Sequence, residues 1–185
     1  MATLLGLLAE WYKRRRHSYG FGVHSPLAYR LVRTVLMERC SYYAYDDIAD
    51  ALDASAGGCR RRLRRAKMLH RLAARFPRPS VRLVGTLPRE YAVAIETALP
   101  KANSDCFQPC LTVGCASDDA SAAKLAEDAT EHITDGDVTA LFGIDSAAVE
   151  AVWEAMPYGV LLAGTDALVA VADSRVTKVA YTAVI

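Results

Sequence analysis

Residues 81–99, VRLVGTLPREYAVAIETAL, decide the fold. Val81–Val84 is a short apolar run closed by Gly85 and Pro88, which predicts a strand, and Glu90–Leu99 predicts a helix. The same texture continues downstream. Cys110–Val113 predicts a strand, Asp118–His132 a helix capped by Asp118, and Val138–Ile144 a strand. Asp145–Met156 predicts a helix with Asp145 or Ser146 as cap, and Tyr158–Leu162 a strand. Strand alternating with helix predicts a mostly parallel sheet with helices on both faces, a Rossmann-like α/β arrangement. The last twenty residues predict a C-terminal antiparallel β-hairpin: Ala167–Ala172, a turn at Asp173-Ser174, then Val176–Val184.

Upstream of residue 81 the pattern is helical. Residues 1–16 predict a helix, and Gly20, Gly22 and Pro26 break residues 17–26 into a loop. Ser25-Pro26 opens the next helix, serine as cap and proline at the first position, with Leu27, Leu31, Val32, Val35 and Leu36 as its apolar face. Residues 41–45, SYYAY, are extended or turning; Asp46–Leu52 predicts a short acidic helix and Ala54–Gly58 a loop. Arg60–Phe76 predicts a long basic helix, stopped by Pro77 and Pro79, whose Leu63, Ala66, Leu69, Leu72, Ala73 and Phe76 face a core. These readings divide the chain into a helical extension, 1–80, packed as one structural unit on an α/β body, 81–185.

The charge is divided along the same line. Residues 1–90 hold 18 Lys and Arg against 7 Asp and Glu, a net +11, and residues 91–185 hold 4 against 14, a net −10. This polarity has two readings: a surface for nucleic acid or membrane, or a basic N-terminal layer packed near an acidic body. The near-neutral total of +1 gives no long-range pull toward polyanions.

Five cysteines, Cys40, Cys59, Cys106, Cys110 and Cys115, are odd in number and irregularly spaced, which predicts free thiols in a reducing, cytoplasmic setting. Gaps of three and four between Cys106, Cys110 and Cys115, with His132 alone, do not make a zinc knuckle, so no metal is expected. Leu4, Leu5, Leu7, Leu8, Trp11 and Tyr12 form one face of the first helix, ahead of Lys13–Arg16. That order is wrong for a secretory signal. The stripe suits docking on the protein's own core or on an anionic bilayer. No apolar run reaches transmembrane length.

Several segments together resemble a group of bacterial class I S-adenosylmethionine-dependent methyltransferase-like proteins with a helical N-terminal extension. The family's H-G-x-H-S-P-F motif is matched by Gly20–Leu27, its tyrosine-rich stretch by Tyr42-Tyr43-Ala44-Tyr45, and its glycine-containing loop loosely by Asp53–Gly58. Lys67–Leu72 matches its K-x-x-L-L-x-R-L pattern, Thr112–Cys115 its T-x-E-G-C, and Ala151-Val152-Trp153 its A-W segment. The resemblance implies a transferase using S-adenosylmethionine, with Gly85, Thr86 and Gly114 against the cofactor and Tyr43 stacking on adenine. It leaves His24 two roles, a general base at the mouth of the site or a histidine that anchors its loop. Tyr42, Tyr43 and Tyr45 likewise either stack on a ligand or clamp the extension to the sheet. Asp46 and Asp47 either replace a lost acid or begin a helix.

The departures are chemical. The family's first strand and glycine turn, I-L-E-L-G-T-S-x-G-x-S-T, align with Val81–Ala92: Gly85 is kept, but Arg89 stands at the turn's second glycine, Leu83 and Val113 where carboxylates are expected, and Pro88 removes a backbone donor. The family's D-G-x-H segment is not recognisable, and Asp135-Gly136-Asp137 lies before a strand rather than after one. These changes imply a degenerate member, a pseudoenzyme that binds the cofactor weakly or not at all. The alternative is a non-catalytic interaction or structural module, with a polyanion held by Arg60–Arg78 and Lys13–Arg16. The basic helix has no aromatic residues among its arginines, so it makes no strong case for nucleic acid; a small-molecule ligand stays open, as does oligomeric state. No G-x-S-x-G or phosphate-loop motif is present.

Overall fold

The computed structural model describes residues 4–54, 59–100, 109–131 and 133–185, with the side chains of residues 4–8 and 119 also outside it. The expected loop at residues 55–58, Cys106, His132 and the leucine stripe of the first helix therefore lie outside the described residues. The elements run α1 (Leu4–Ser18), α2 (Pro26–Leu31), α3 (Ala44–Asp53), α4 (Arg60–Arg75), β1 (Ser80–Gly85), α5 (Arg89–Ala98) and β2 (Cys110–Cys115). There follow α6 (Asp119–Thr130), β3 (Val138–Phe142), α7 (Ser146–Ala155), β4 (Val160–Ala163), β5 (Ala167–Val171) and β6 (Val179–Thr182). The local signals that set these limits are seen directly. Ser25 Oγ accepts from the Ala28 N–H at 3.4 Å, Asp118 forms a reciprocal capping box with Ser121, and Asp145 accepts from the Ala148 N–H at 2.8 Å. After Leu31 the helix widens into one π-helical turn, Val32–Leu36, closed by Met37 N–H to Val32 O at 2.9 Å.

Six strands form one sheet in the order β1-β2-β3-β5-β4-β6. β1, β2 and β3 pair in parallel, β4 and β6 pair in parallel, and only β5 runs against its neighbours. The fold is therefore α/β and Rossmann-like, with N-terminal helices beside a mostly parallel sheet. The antiparallel hairpin is present one connection earlier than the sequence suggests. β4 turns through Gly164–Asp166 into β5, with the Gly164 N–H donating to Ala167 O at 2.7 Å. The strand expected to fold back on Ala167–Ala172 instead lies parallel to β4. The reason is the inserted position of β5. Its two edges are already occupied by β3 and β4, so residues after 172 must travel to the free edge of β4.

Each face of the sheet has its own core. On the first, Leu111, Val113, Val138, Ala140, Phe142 and Val169 pack with Leu31 and Val35, with Leu69 and Leu72 of α4, and with Tyr91 and Ile95 of α5. On the second, Val84, Leu141, Leu161 and Leu168 pack with Ala122 and Leu125 of α6 and Val152 of α7. Coverage on both sides explains why β3 and β5 are buried throughout and why β5 reads as an unbroken apolar run and β3 as one interrupted only by Thr139. A fully buried Glu90 links α5 to α4 through Arg62 Nε at 2.6 Å.

The extension is held by residues far along the chain. Tyr181 Oη accepts from the backbone N–H groups of His24 and Ser25 at 3.2 and 3.3 Å. His17 Nδ1 bonds Thr182 O at 3.1 Å, and the Val184 N–H donates to Ser18 Oγ at 2.7 Å. Tyr42 and Tyr45 join α3 to α4, their rings meeting that of His70, while Tyr45 Oη accepts from Arg71 Nη1 at 2.8 Å. These two tyrosines thus join elements of the extension to one another rather than clamping the extension to the sheet. Asp46 and Asp47 sit in the first turn of α3, exposed, where the helix dipole favours them.

His70 is buried, with Nδ1 against Ala94 O and Thr97 Oγ1, each at 3.2 Å. Burial pushes its pKa down from the ordinary value of 6.5; the Ala94 carbonyl opposes this, and nearby Arg71 adds to it. A lowered folded pKa means that the unfolded chain binds the proton first. The stabilising contribution is complete above the unfolded value and is lost as pH falls through the folded one. Chemical denaturation midpoints should therefore decline as pH falls below about 6.5, and His70→Gln should flatten that decline. An unchanged slope in the variant would assign the pH dependence to other groups.

Candidate functional site

The carboxyl ends of parallel strands, where successive connections diverge to opposite faces, form the usual ligand crevice of open α/β sheets. Here β1 to β2 and β2 to β3 are steps in the same direction across the sheet, yet α5 lies on the first face and α6 on the second. The two crossovers have opposite hand, and a cleft of about 500 Å³ opens between the ends of β1 and β2. Gly85 and Thr86 both line it. Gly85 adopts φ +72°, and an added Cβ would lie 3.3 Å from Cys115 O. That left-handed conformation explains the glycine.

The other sequence-derived candidates lie elsewhere. Gly114 is covered by Leu125 of α6, whose Cδ1 would be 2.3 Å from an added Cβ, so this glycine serves helix–strand contact. Tyr43 is fully exposed at the start of α3 and does not line the cleft. His24 has an exposed side chain, and its described contact is made by its backbone N–H to Tyr181, so neither the general-base nor the anchoring role is drawn from its imidazole. Val113 has no exposed surface and points into the first core rather than the cleft. Arg89 is exposed on the first turn of α5 and is not a lining residue. Among the described residues the cleft is lined by one carboxylate, Asp128, one turn along α6 from Lys124, and by no aromatic ring.

Asp135-Gly136-Asp137 is a structural clamp at the amino ends of the strands. Asp137 accepts from the Cys110 and Thr134 N–H groups, both at 2.7 Å, and Asp135 accepts from the Ser174 N–H at 2.6 Å. Four described cysteines, Cys40, Cys59, Cys110 and Cys115, are free, and burial raises the pKa of the Cys115 thiol. No metal-binding cluster occurs among the described residues, and no described helix is long and apolar enough to cross a membrane.

A second cleft, also of about 500 Å³, lies between α1 and α4. The β4–β5 turn holds both of its walls: Arg14 Nη1 donates to Thr165 Oγ1 at 2.8 Å, and Asp166 pairs with Arg61 and Arg65. Among the described residues, seven cationic side chains line this cleft and one carboxylate side chain does, Glu38, which is engaged by Arg75 at 3.3 Å. Arg61 and Arg65 are matched by Asp166, and Arg71 donates to Val35 O at 2.7 Å. Arg15, Arg39, Arg64 and Lys67 have no carboxylate partner among the described residues. Trp11 and Tyr19 of the α1 wall remain 52% and 39% exposed.

The sequence shows the two basic segments but not this site, because its aromatic residues stand on α1 and just after it, and most of its arginines on α4. The available signal is the spacing of Trp11, Arg15 and Tyr19, four residues apart and so on one helical face. Comparison of the chain with protein-family models, with curated proteins and with solved structures gave no match.

Proposed function

We propose that this protein is a binding module for a phosphate-bearing anion, held in the cleft between α1 and α4 of a Rossmann-like scaffold. The observation that carries this reading is the set of four cations, Arg15, Arg39, Arg64 and Lys67, that have no carboxylate partner among the described residues, in a concave site. Guanidinium groups bind phosphate oxygens through paired hydrogen bonds. The free thiols fit a reducing, cytoplasmic setting.

The methyltransferase resemblance becomes, on this reading, one of scaffold rather than activity. A ribose diol needs a carboxylate acceptor, and Val113, at the expected position, is enclosed in the core. Without that partner and without an aromatic ring for adenine, the crevice beside Gly85 does not suit S-adenosylmethionine. No methyl-transfer step is assigned.

Calorimetric titration of the full chain with sodium tripolyphosphate, at low and at high salt, tests the proposal. Binding should weaken with salt. Arg39→Glu combined with Arg64→Glu should reduce low-salt affinity roughly 100-fold, the effect of removing two charge-assisted hydrogen bonds. Equal binding by this variant would sink the proposal. So would micromolar binding of S-adenosylmethionine with no binding of tripolyphosphate.

A further inference from the structure

Resting on the anion-binding reading, we infer that the ligand of the α1–α4 cleft is a nucleoside polyphosphate, its base stacked on Trp11 or Tyr19 and its phosphates on Arg39 and Arg64. A site for phosphate alone needs only cations. This one sets a tryptophan and a tyrosine, both substantially exposed, on the wall opposite the α4 arginines. Arg15 lies over the Trp11 ring, 5.1 Å from its centroid, and holds the indole at the cleft. An aromatic face beside guanidinium groups that have no carboxylate partner among the described residues is the recognition chemistry of a ligand that has a planar ring at one end and several negative charges at the other. The cleft volume of about 500 Å³ suits a single small molecule, whereas a nucleic-acid duplex or a folded partner needs a broad surface.

The aromatic and basic content of α1 also resembles that of helices lying on anionic bilayers. Concavity favours the small ligand. Trp11 and Arg15 line a cleft whose other wall is α4, and a bilayer would meet that cleft only at its rim.

The test uses the full chain in a Trp153→Phe background, which leaves Trp11 as the only tryptophan. ATP, sodium tripolyphosphate and vesicles containing phosphatidylserine are titrated separately, with Trp11 fluorescence and calorimetry as readouts. ATP should quench Trp11 and bind roughly ten-fold more tightly than tripolyphosphate, the gain expected from one stacked base. Trp11→Leu combined with Tyr19→Leu should abolish that ratio, read by calorimetry, while tripolyphosphate affinity stays the same. Equal affinity for ATP and tripolyphosphate would overturn the nucleotide inference and leave the anion site standing. Failure of both to bind would overturn the anion site as well. A blue shift of Trp11 on vesicles, with no response to ATP, would replace the nucleotide with a membrane surface.

Discussion

A chain carrying Val113→Glu should fail to give a cooperative unfolding transition. Val113 is fully enclosed, paired in register with Leu83 and Ala140, in a core whose residues near it are apolar. An unpaired carboxylate at such a point costs several kcal/mol even after relaxation, in addition to the overpacking caused by the longer side chain, against a total stability of about 5–15 kcal/mol for a typical domain. The control is Leu83→Glu, one strand away. Leu83 is 53% exposed, so the same carboxylate there should change stability by only about 0.5–1 kcal/mol. Both are positions where the family resemblance expects an acid. A Val113→Glu protein that melts like the parent would mean that this position opens to solvent, and would revive the ribose-binding reading.

Asp166→Asn should move stability and affinity in opposite directions. Asp166 is the carboxylate shared by Arg61 and Arg65, and the Arg65 side chain is only 8% exposed. Removing the partner of a buried charge costs about 3–5 kcal/mol in full burial. Asp166 is itself 31% exposed, which reduces the expected loss to about 2 kcal/mol. The same change releases two guanidinium groups at the cleft, and tripolyphosphate affinity should rise about ten-fold, by the energy of one charge-assisted hydrogen bond. Saturating tripolyphosphate should then restore much of the lost thermal stability, because a ligand that binds the folded state stabilises it. A variant with lower stability and unchanged affinity would show that Arg61 and Arg65 do not reach the ligand.

The elements whose limits are set by local chemistry were readable from sequence. Asp118, Asp145 and Ser25 each cap the helix they precede, and the apolar runs at 138–142 and 167–171 are strands enclosed on both faces. Pairing between strands was less legible, since residues 167–184 carry nothing that states whether β5 adds at an edge or inserts. The occupied edges of β5 settle it, and they exist only in the assembled sheet. The crevice was half legible for the same reason. Gly85 reports its own backbone conformation, but Gly114 reports the position of Leu125 on another element. The basic cleft was least legible, because its two walls are about fifty residues apart in sequence and meet through the turn at Thr165 and Asp166.

The anchoring of residues 14–25 by residues 165–184 has a consequence during synthesis. His17, Ser18, His24 and Ser25 emerge from the ribosome before any of their partners exist, and each must wait for at least 156 further residues. At the roughly 5–20 residues per second of translation, that interval is on the order of ten seconds or more. Throughout it, the arginine-rich first half lacks its docking strand, and for the first part of it the acidic second half is not yet made. The nascent chain is therefore most exposed to cellular polyanions before folding is complete. Seating of residues 17–25 is among the last events of folding, and a chain cut short before Tyr181 keeps the ties of the cleft walls to Thr165 and Asp166 but loses those of His17, Ser18, His24 and Ser25.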